Sequence, residues 1–208
     1  MDYLHTYPNV YLRYYASDMI LHIDSDAAYL VLPKARSRIA GFYQLSDHPS
    51  KTKNPTRNLP ILIECKTLRH VVASAAEAEV AGIFHNAQTA IPIRRALEAL
   101  DHPQPPTPLK TDNSTANSFT YRNIQMKKSK SWDMRYHWLR DKITHKIIKV
   151  FWKEGSDNNA DYSTKNHPIK HHLQKRPTYV LDKPDSSVNH IVSDIKNILT
   201  HSGIARVC

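Results

Sequence analysis

The sequence predicts an α/β domain in which five strands and several helices share one hydrophobic core. Two patterns lead to this prediction. Apolar, β-branched runs of strand length recur along the chain, and one long segment changes to the helical spacing of apolar residues. A chain of 208 residues with 40% hydrophobic residues is long enough for one such domain and short for two. We therefore expect one domain with extensions at its ends.

The first part of the chain contains three predicted strands. They cover residues 19–32, 38–45 and 59–68, and a polar loop that contains prolines separates the second from the third. Asp24 and Asp26 interrupt the first strand, which is otherwise apolar. Three consecutive strands of this kind favour a β-meander at the start of the domain.

An amphipathic helix is predicted next, because apolar residues recur at helical spacing from Ala76 to Ile91. Pro92 is expected to kink or restart it, since proline removes a main-chain donor. Short strands are then predicted over residues 108–112 and 146–152, with a helix over residues 132–143 between them. The predicted order is three strands, helix, strand, helices, strand and helix.

The end of the chain is less regular. A last helix is expected to start near Ser156 and to carry Asp161. From residue 169 the pattern decays into His, Lys, Pro and Ser, so residues 169–208 are interpreted as a basic, flexible tail with one short helix over residues 187–200.

Composition excludes several classes of protein. Two cysteines are too few for a disulfide framework or a multi-cysteine zinc site, and four scattered glycines cannot form a phosphate-binding loop. No serine-hydrolase elbow or paired-histidine zinc motif is present. The formal net charge is +10, and most of the excess lies in residues 121–176, which favours a polyanionic partner. Without an apolar run of about 18 residues, no membrane partner is expected, and the chain is predicted to be soluble and intracellular.

Four carboxylates stand on four different predicted elements: Asp24 in a strand, Glu79 early in a helix, Asp112 at the end of a strand and Asp161 on the last helix. Taken singly, each is most simply an acid at the protein surface. If they converge, they suit a pair of divalent cations about 3.5 to 4 Å apart, which cleave phosphodiesters by activating water and stabilising the leaving oxygen.

Five ordered strings around these acids resemble the RNase H domain of copia-type LTR retrotransposons. The strings are HIDSDA (22–27), SAAEAEV (74–80), KTDNSTA (110–116), SKSWDMRYHWLRDKI (129–143) and NNADYSTK (158–165). The resemblance covers residues 18–168, and its order and spacing make it far more specific than any single string.

The resemblance implies an RNase H-like fold with a mixed five-stranded sheet flanked by helices. It also implies a hydrolase that cuts the RNA strand of RNA/DNA hybrids with two ions of Mg²⁺ or Mn²⁺. The residues that match the catalytic, metal-binding acids of the family are Asp24, Glu79, Asp112 and Asp161. Asp26 is interpreted as a solvated or supporting acid rather than a ligand.

The resemblance further suggests a reverse transcriptase polymerase domain of the same polyprotein as a partner, with residues 1–17 as the remnant of an upstream connection. A cytoplasmic virus-like particle or the nucleus is the expected location. A catalytically silent, nucleic-acid-binding fragment of a decayed or domesticated element is the alternative. A different nuclease on the same fold, such as an integrase or exonuclease, fits less well because of the string DMRYH (133–137).

Five residues are predicted to contact nucleic acid: Asn113, Lys127, Lys128, Lys130 and Arg135. The basic ones would lie along the phosphates of the hybrid, and a solvated helix face is the alternative. Asn113 suits the minor groove of a hybrid and a helix N-cap equally well.

The string that contains Glu79 also contains Glu77, and local chemistry separates the two. Ser74 followed three residues later by Glu77 predicts a capping box, in which each side chain bonds to the backbone amide of the other residue. Glu77 would then have a structural task, and Glu79 remains for the metals.

Overall fold

The structure, a computed structural model, describes residues 5–48, 58–121, 130–155 and 158–181, and within these it leaves the side chains of residues 119–121 and 130–133 undescribed. Lys127, Lys128 and the helix predicted over residues 187–200 therefore lie outside the described residues. The chain divides into two compact units. One is Tyr14–His171, and the other combines Met1–Arg13 with His172–Cys208.

The larger unit is built on a mixed five-stranded sheet. Its strands are β1 (Ile20–Leu32), β2 (Arg36–Ser46), β3 (Pro60–Thr67), β4 (Thr107–Thr111) and β5 (Ile148–Trp152). Their order in the sheet is β3-β2-β1-β4-β5. The first three strands are antiparallel neighbours, whereas β4 is parallel to β1 and β5 is parallel to β4. The predicted mixed five-stranded sheet flanked by helices is confirmed.

Register between the two parallel central strands determines which acids can meet. Asp24 of β1 lies beside Lys110 of β4. Continued by two residues along both chains, this parallel register brings Asp26 level with Asp112. Asp26 projects from the same face of the sheet as Asp24, because side chains two residues apart share a face of a strand. This register brings a second acid of β1, rather than the first, towards the end of β4.

The long helix α1 (Ala75–Ala99) packs against the sheet as one element. It continues through Pro92, so the predicted restart is wrong. Pro92 is exposed, while Ala87 and Ala90 before it and Leu97 after it are buried. Burial on both sides of the proline holds the helix together, although one main-chain hydrogen bond is lost there.

Among the residues that the structure describes, four further helices follow: α2 (Ser114–Tyr121), α3 (Lys130–Thr144), α4 (Asp161–Thr164) and α5 (Ile169–Tyr179). Helix α3 agrees with the helix predicted over residues 132–143. Helix α4 is only four residues long and begins at Asp161 rather than near Ser156. Helix α5 lies in the stretch that was interpreted as flexible tail, where no helix was predicted over Ile169–Tyr179, and none of its residues is buried.

Two clusters of buried side chains form the core of the larger unit. The main cluster joins the central strands to α1, α2 and α3: Leu21, Ile23, Tyr43, Val80, Ile83, Phe84, Ala87, Ala90, Leu97, Leu109, Ala116, Leu139, Ile148 and Val150. The smaller cluster comprises Ile39, Leu68, Val72, Ala78 and Ala81. Together they fix helix α1 across strands β1, β2 and β4.

A buried polar network also ties α1 to the sheet. The Asn86 side chain donates to the Ser25 hydroxyl at 2.8 Å and to the carbonyl of Ala40 at 2.9 Å, and it accepts from the Tyr43 hydroxyl at 3.0 Å. A Cβ atom at Gly41 would lie 2.5 Å from the amide oxygen of Asn86. Glycine is therefore needed there, because the helix side chain approaches the strand so closely.

The second unit has contacts of its own. Tyr11 and Leu181 form an antiparallel bridge with two main-chain hydrogen bonds, of 2.8 and 3.0 Å. The Arg176 guanidinium lies 4.3 Å from the centre of the Tyr7 ring, a cation–π contact. Among the described residues, no helix is long and apolar enough to cross a membrane.

Candidate metal site

Three aspartates from three elements form one carboxylate cluster. Asp26 lies on β1, Asp112 directly follows β4, and Asp161 begins α4. One carboxylate oxygen from each lies within 4.8 Å of the others. Asp26 is buried, and the other two are half-buried. Oxygen ligands that converge in this way suit a hard divalent cation.

Glu79 lies beside this carboxylate cluster and is 5% exposed. Its carboxylate accepts from the backbone amide of Ala27 at 3.2 Å and from the Thr111 hydroxyl at 3.4 Å. These two donors are the chain neighbours of Asp26 and Asp112. Helix α1 thus places Glu79 between the two strands that carry the cluster.

Electrostatics at Glu79 and Asp26 reflect crowding of like charges in a buried place. Burial, together with the nearby charges of Asp26 and Asp112, raises the pKa of Glu79 to about 9. Burial also raises the pKa of Asp26 to about 6, although the Thr164 hydroxyl and the Lys165 ammonium oppose the rise. A cation that binds at neutral pH would therefore displace a proton from this group of acids.

Helix α4 contributes two more contacts to the cluster. The Thr164 hydroxyl donates to the carboxylate of Asp26, and the Lys165 ammonium pairs with the carboxylate of Asp161. Burial alone would lower the pKa of Lys165, but its hydrogen bond to Asp161 and the nearby acids raise it. The first contact joins α4 to β1, and the second is local, between the first residue of α4 and the residue that follows the helix.

Asp24, which the sequence analysis placed among the metal ligands, is not one of the aspartates that meet in the carboxylate cluster. It is 4% exposed, and its Oδ2 atom lies 2.9 Å from the Lys110 ammonium. The same oxygen accepts from the backbone amide and the side-chain amide of Asn159. From β1, it is Asp26 rather than Asp24 that lies in the carboxylate cluster.

Gly155 adjoins the cluster without contributing a side chain. A Cβ atom there would lie 2.8 Å from the Oδ2 atom of Asp112. The indole of Trp152 donates to the main-chain carbonyl of Asp112 at 2.9 Å. The strand end at Trp152 therefore fixes the backbone of Asp112, and the bare glycine leaves room for its carboxylate.

The start of helix α1 agrees closely with the predicted capping box. The Ser74 hydroxyl accepts from the amide of Glu77 at 3.1 Å, as predicted. The carboxylate of Glu77 accepts from the amide of Ala73 at 2.7 Å, one residue earlier than the predicted partner. Glu77 is thus engaged at the helix start, while Glu79 faces the cluster.

The structure describes the side-chain contacts of two of the residues predicted to bind nucleic acid, Asn113 and Arg135. Asn113 caps α2, since its side chain accepts from the amide of Ala116 at 2.9 Å. Arg135 donates to a ring nitrogen of His70 at 2.8 Å and lies 5.9 Å from the centre of the Phe84 ring. Lys130 starts helix α3, but its side chain is not among those described. A nucleic-acid role for these residues stays a prediction.

No family model and no curated protein matches the chain. Among solved structures, it is similar to the N-terminal RNase H domain of a Mycobacterium tuberculosis protein fused to maltose-binding protein, with a TM-score of 0.49 and 10% identity. That match covers 76% of this chain and 99% of that chain. LC11-RNase H1 in complex with an RNA/DNA hybrid gives a TM-score of 0.49 and 10% identity over 74% of this chain and 99% of that chain.

Prototype foamy virus protease-reverse transcriptase is a third similar structure, with a TM-score of 0.43 and 11% identity. The match covers 77% of this chain and 20% of that chain.

Several residues at the site were not singled out from the sequence. Lys110 lies in the string KTDNSTA, and Thr164 and Lys165 lie in NNADYSTK, but no role was predicted for them or for Gly155. Lys110, Gly155 and Thr164 each approach an acid far away in the chain, whereas Lys165 pairs with Asp161 four residues before it. The one available signal was the spacing of Asp24 and Asp26. Two acids two residues apart lie on the same face of a strand, so either could have been the cluster member.

Proposed function

We propose that this protein is a metal-dependent ribonuclease H that cuts the RNA strand of RNA/DNA hybrids. The observation that carries the proposal is the meeting of Asp26, Asp112 and Asp161 beside the buried Glu79, on elements joined by one mixed sheet. The order of motifs that resembles copia-type RNase H domains supports the same function. In this proposal Asp26 takes the role that the sequence analysis gave to Asp24.

The donor set fits a divalent cation such as Mg²⁺ or Mn²⁺. All the groups that converge are carboxylates, which are the ligands that hard cations prefer. Asp26 and Glu79 also have raised pKa values, as expected for acids that need positive charge between them. When bound, two such ions would activate a water and stabilise the leaving oxygen of the phosphodiester.

Each acid would have its own task in this chemistry. Asp26 on β1 and Asp112, directly after the neighbouring parallel strand β4, would bind the metal ions from the sheet. Glu79 would complete it from helix α1. Asp161 would close it from α4, beside Lys165, whose ammonium balances negative charge in the cluster.

Hybrid recognition is assigned to the basic residues before and within helix α3. Lys127, Lys128, Lys130 and Arg135 belong to the part of the sequence with most of the excess positive charge. Phosphate contacts release counterions, so hybrid binding should weaken steeply as salt rises. Neutralising the three lysines together should flatten that dependence, and an unchanged slope would identify them as a solvated face.

A polymerase domain of the same polyprotein remains the proposed partner.

A cleavage assay tests the function directly. We expect the purified chain to cut the RNA strand of a labelled hybrid with Mg²⁺ or Mn²⁺, to leave duplex DNA intact, and to stop when a chelator is added. Asp26→Asn should abolish cleavage, while Asp141→Asn, which removes an exposed acid of α3, should not. A wild-type protein that binds the hybrid but never cleaves it would favour the silent nucleic-acid-binding alternative.

A further inference from the structure

Asp24 is buried, and one of its oxygens is fully engaged. Its Oδ2 atom receives the Lys110 ammonium at 2.9 Å, the backbone amide of Asn159 at 3.1 Å and the side-chain amide of Asn159 at 3.0 Å. The side chains of the ion pair are only 10% and 6% exposed. A metal ion at this oxygen would have to approach an ammonium and displace two amide donors. This carboxylate is therefore built to hold protein groups.

The residues that Asp24 holds lead directly to Asp161. Asn158, next to Asn159, donates from its side chain to the carbonyl of Ser25 at 2.9 Å. The side-chain oxygen of Asn158 also accepts from the amide of Ala160 at 3.1 Å. Asn158 and Ala160 are both buried. The turn over residues 158–160 is thus fastened to two consecutive residues of β1.

Helix α4 cannot hold its own position. It has four residues, and only Thr164 is buried. A helix this short has little stability of its own, because its first turn costs more conformational entropy than its few hydrogen bonds recover. The location of Asp161 is therefore set by the anchors on either side of it. Before it, Asn158 is held by Ser25 and Asn159 by Asp24; after it, Thr164 is held by Asp26.

We propose that Asp24 is a positioning residue: neutralised by Lys110, it holds Asn159 and so sets the place from which Asp161 reaches the carboxylates of Asp26 and Asp112. This inference rests on the proposed metal-dependent function. It gives the two acids of β1 separate tasks. Asp26 belongs to the carboxylate cluster, whereas Asp24 fixes the turn over residues 158–160, which positions Asp161.

The test compares two double variants, because removing Asp24 alone would leave Lys110 buried without its counter-charge. Asp24→Asn with Lys110→Met removes both charges but keeps an oxygen that accepts from Asn159. Asp24→Leu with Lys110→Met removes the charges and the acceptor together. Mg²⁺ affinity is measured by calorimetry on the full chain without nucleic acid. Amide hydrogen exchange at Asn159 is measured in metal-free protein.

The asparagine variant should bind Mg²⁺ with nearly wild-type affinity. The leucine variant should lose about tenfold or more in Mg²⁺ affinity, as is typical when a group that orients a metal ligand is removed. Its Asn159 amide should exchange faster, because that amide has lost its acceptor. In hybrid cleavage, kcat should fall while KM stays near its wild-type value, since phosphate contacts elsewhere are untouched.

Two controls separate positioning from ligation and from general damage. Asp26→Asn should weaken Mg²⁺ binding while the exchange of the Asn159 amide stays slow. Asp141→Asn should change neither quantity, since Asp141 is exposed. An asparagine variant that loses Mg²⁺ as completely as Asp26→Asn would make Asp24 a ligand and overturn the proposal. A leucine variant with wild-type Mg²⁺ affinity would overturn it as well.

The same experiments keep the two proposals apart. A wild-type chain that neither binds Mg²⁺ nor cleaves the hybrid would refute the proposed function. Hydrogen exchange at Asn159 would then still decide whether Asp24 anchors the turn, since it is measured without metal. Slow exchange in the leucine variant would refute the anchoring itself.

Discussion

Helix α1 carries a buried charged residue towards each end, and the surroundings of the two differ sharply. Arg94 donates to the carbonyls of Gln104 and Pro105 and to the hydroxyl of Thr107, the first residue of β4. Glu79 accepts from Thr111, the last residue of β4, but it faces the carboxylates of the cluster. One buried charge meets complementary partners, and the other meets charges of its own sign.

This difference separates a structural charge from a functional one. Fixed acceptors around a guanidinium stabilise the fold and satisfy its hydrogen-bond donors, so no ligand is needed there. Acids that face one another in a buried place are held at a cost to stability, and an added cation relieves it. A raised pKa beside a specific charge partner is for that reason typical of functional sites.

The largest expected difference is between a variant of an acid in the carboxylate cluster, Asp112, and a variant of the structural charge Arg94. Asp112→Asn should lower hybrid cleavage by roughly a thousandfold, since a metal site supplies several kcal/mol of charge stabilisation. It should leave the metal-free fold intact, because it relieves repulsion. Arg94→Met should keep cleavage but lower the free energy of unfolding by about 2 kcal/mol, because buried carbonyls lose their donor. Urea unfolding and cleavage rates measure both, and equal loss of stability in the two variants would contradict the comparison.

A second prediction concerns the pH dependence of stability in metal-free protein. The pKa of Glu79 is raised from 4.5 to about 9, so the folded state holds this proton more tightly than the unfolded state does. The resulting stabilisation is fully present below pH 4.5 and is lost as the pH rises towards about 9. Glu79→Gln should remove this loss and abolish cleavage. If urea unfolding shows the same pH profile for both proteins, Glu79 does not titrate as described.

Gly155→Ala should have a smaller effect on the same site. The new Cβ atom would lie 2.8 Å from the Oδ2 atom of Asp112, so the carboxylate must move. Misplacement of this kind should slow cleavage by roughly tenfold to a hundredfold. Gly82→Ala is the matched control, because its Cβ atom would meet neighbours only at 3.5 Å or more. Equal rates in the two variants would show that the room beside Asp112 is unimportant.

The smallest expected effect is at the start of α1. Glu77→Gln should change cleavage and the free energy of unfolding very little, because a glutamine oxygen can still accept from the amide of Ala73. Glu77→Ala removes the acceptor and should cost about 1 kcal/mol of stability. Thermal unfolding distinguishes the two variants. If Glu77→Gln damaged metal-dependent cleavage more than Glu79→Gln, the roles of the two glutamates would be reversed.

The strands and the long helix could be predicted because their apolar residues repeat with the period of the element and become its buried face. Helix α5 could not, since none of its residues is buried and it has no apolar stripe to detect. The predicted order allowed for the eight-residue helix α2, but its bounds could not be predicted, because the capping role of Asn113 could not be told from a binding role.

Sequence patterns could not predict which of Asp24 and Asp26 joins the carboxylate cluster. Both acids lie on one face of β1, so the two-residue period cannot separate them. The register of β1 against β4 separates them, because it places Lys110 beside Asp24 and brings Asp26 level with Asp112. That register depends on contacts between residues more than eighty positions apart, which no local pattern reports.

The anchoring of Asn159 on Asp24 spans 135 positions of the chain. During synthesis from the N-terminus, β1, α1 and β4 leave the ribosome long before Asp161 does. A product that ends between residues 112 and 157 has three of the four acids and lacks both the fourth and the turn that delivers it, and a shorter product has fewer. Under the proposed function, the order of residues in the chain keeps every unfinished copy of this nuclease unable to cut until nearly the whole domain has been made.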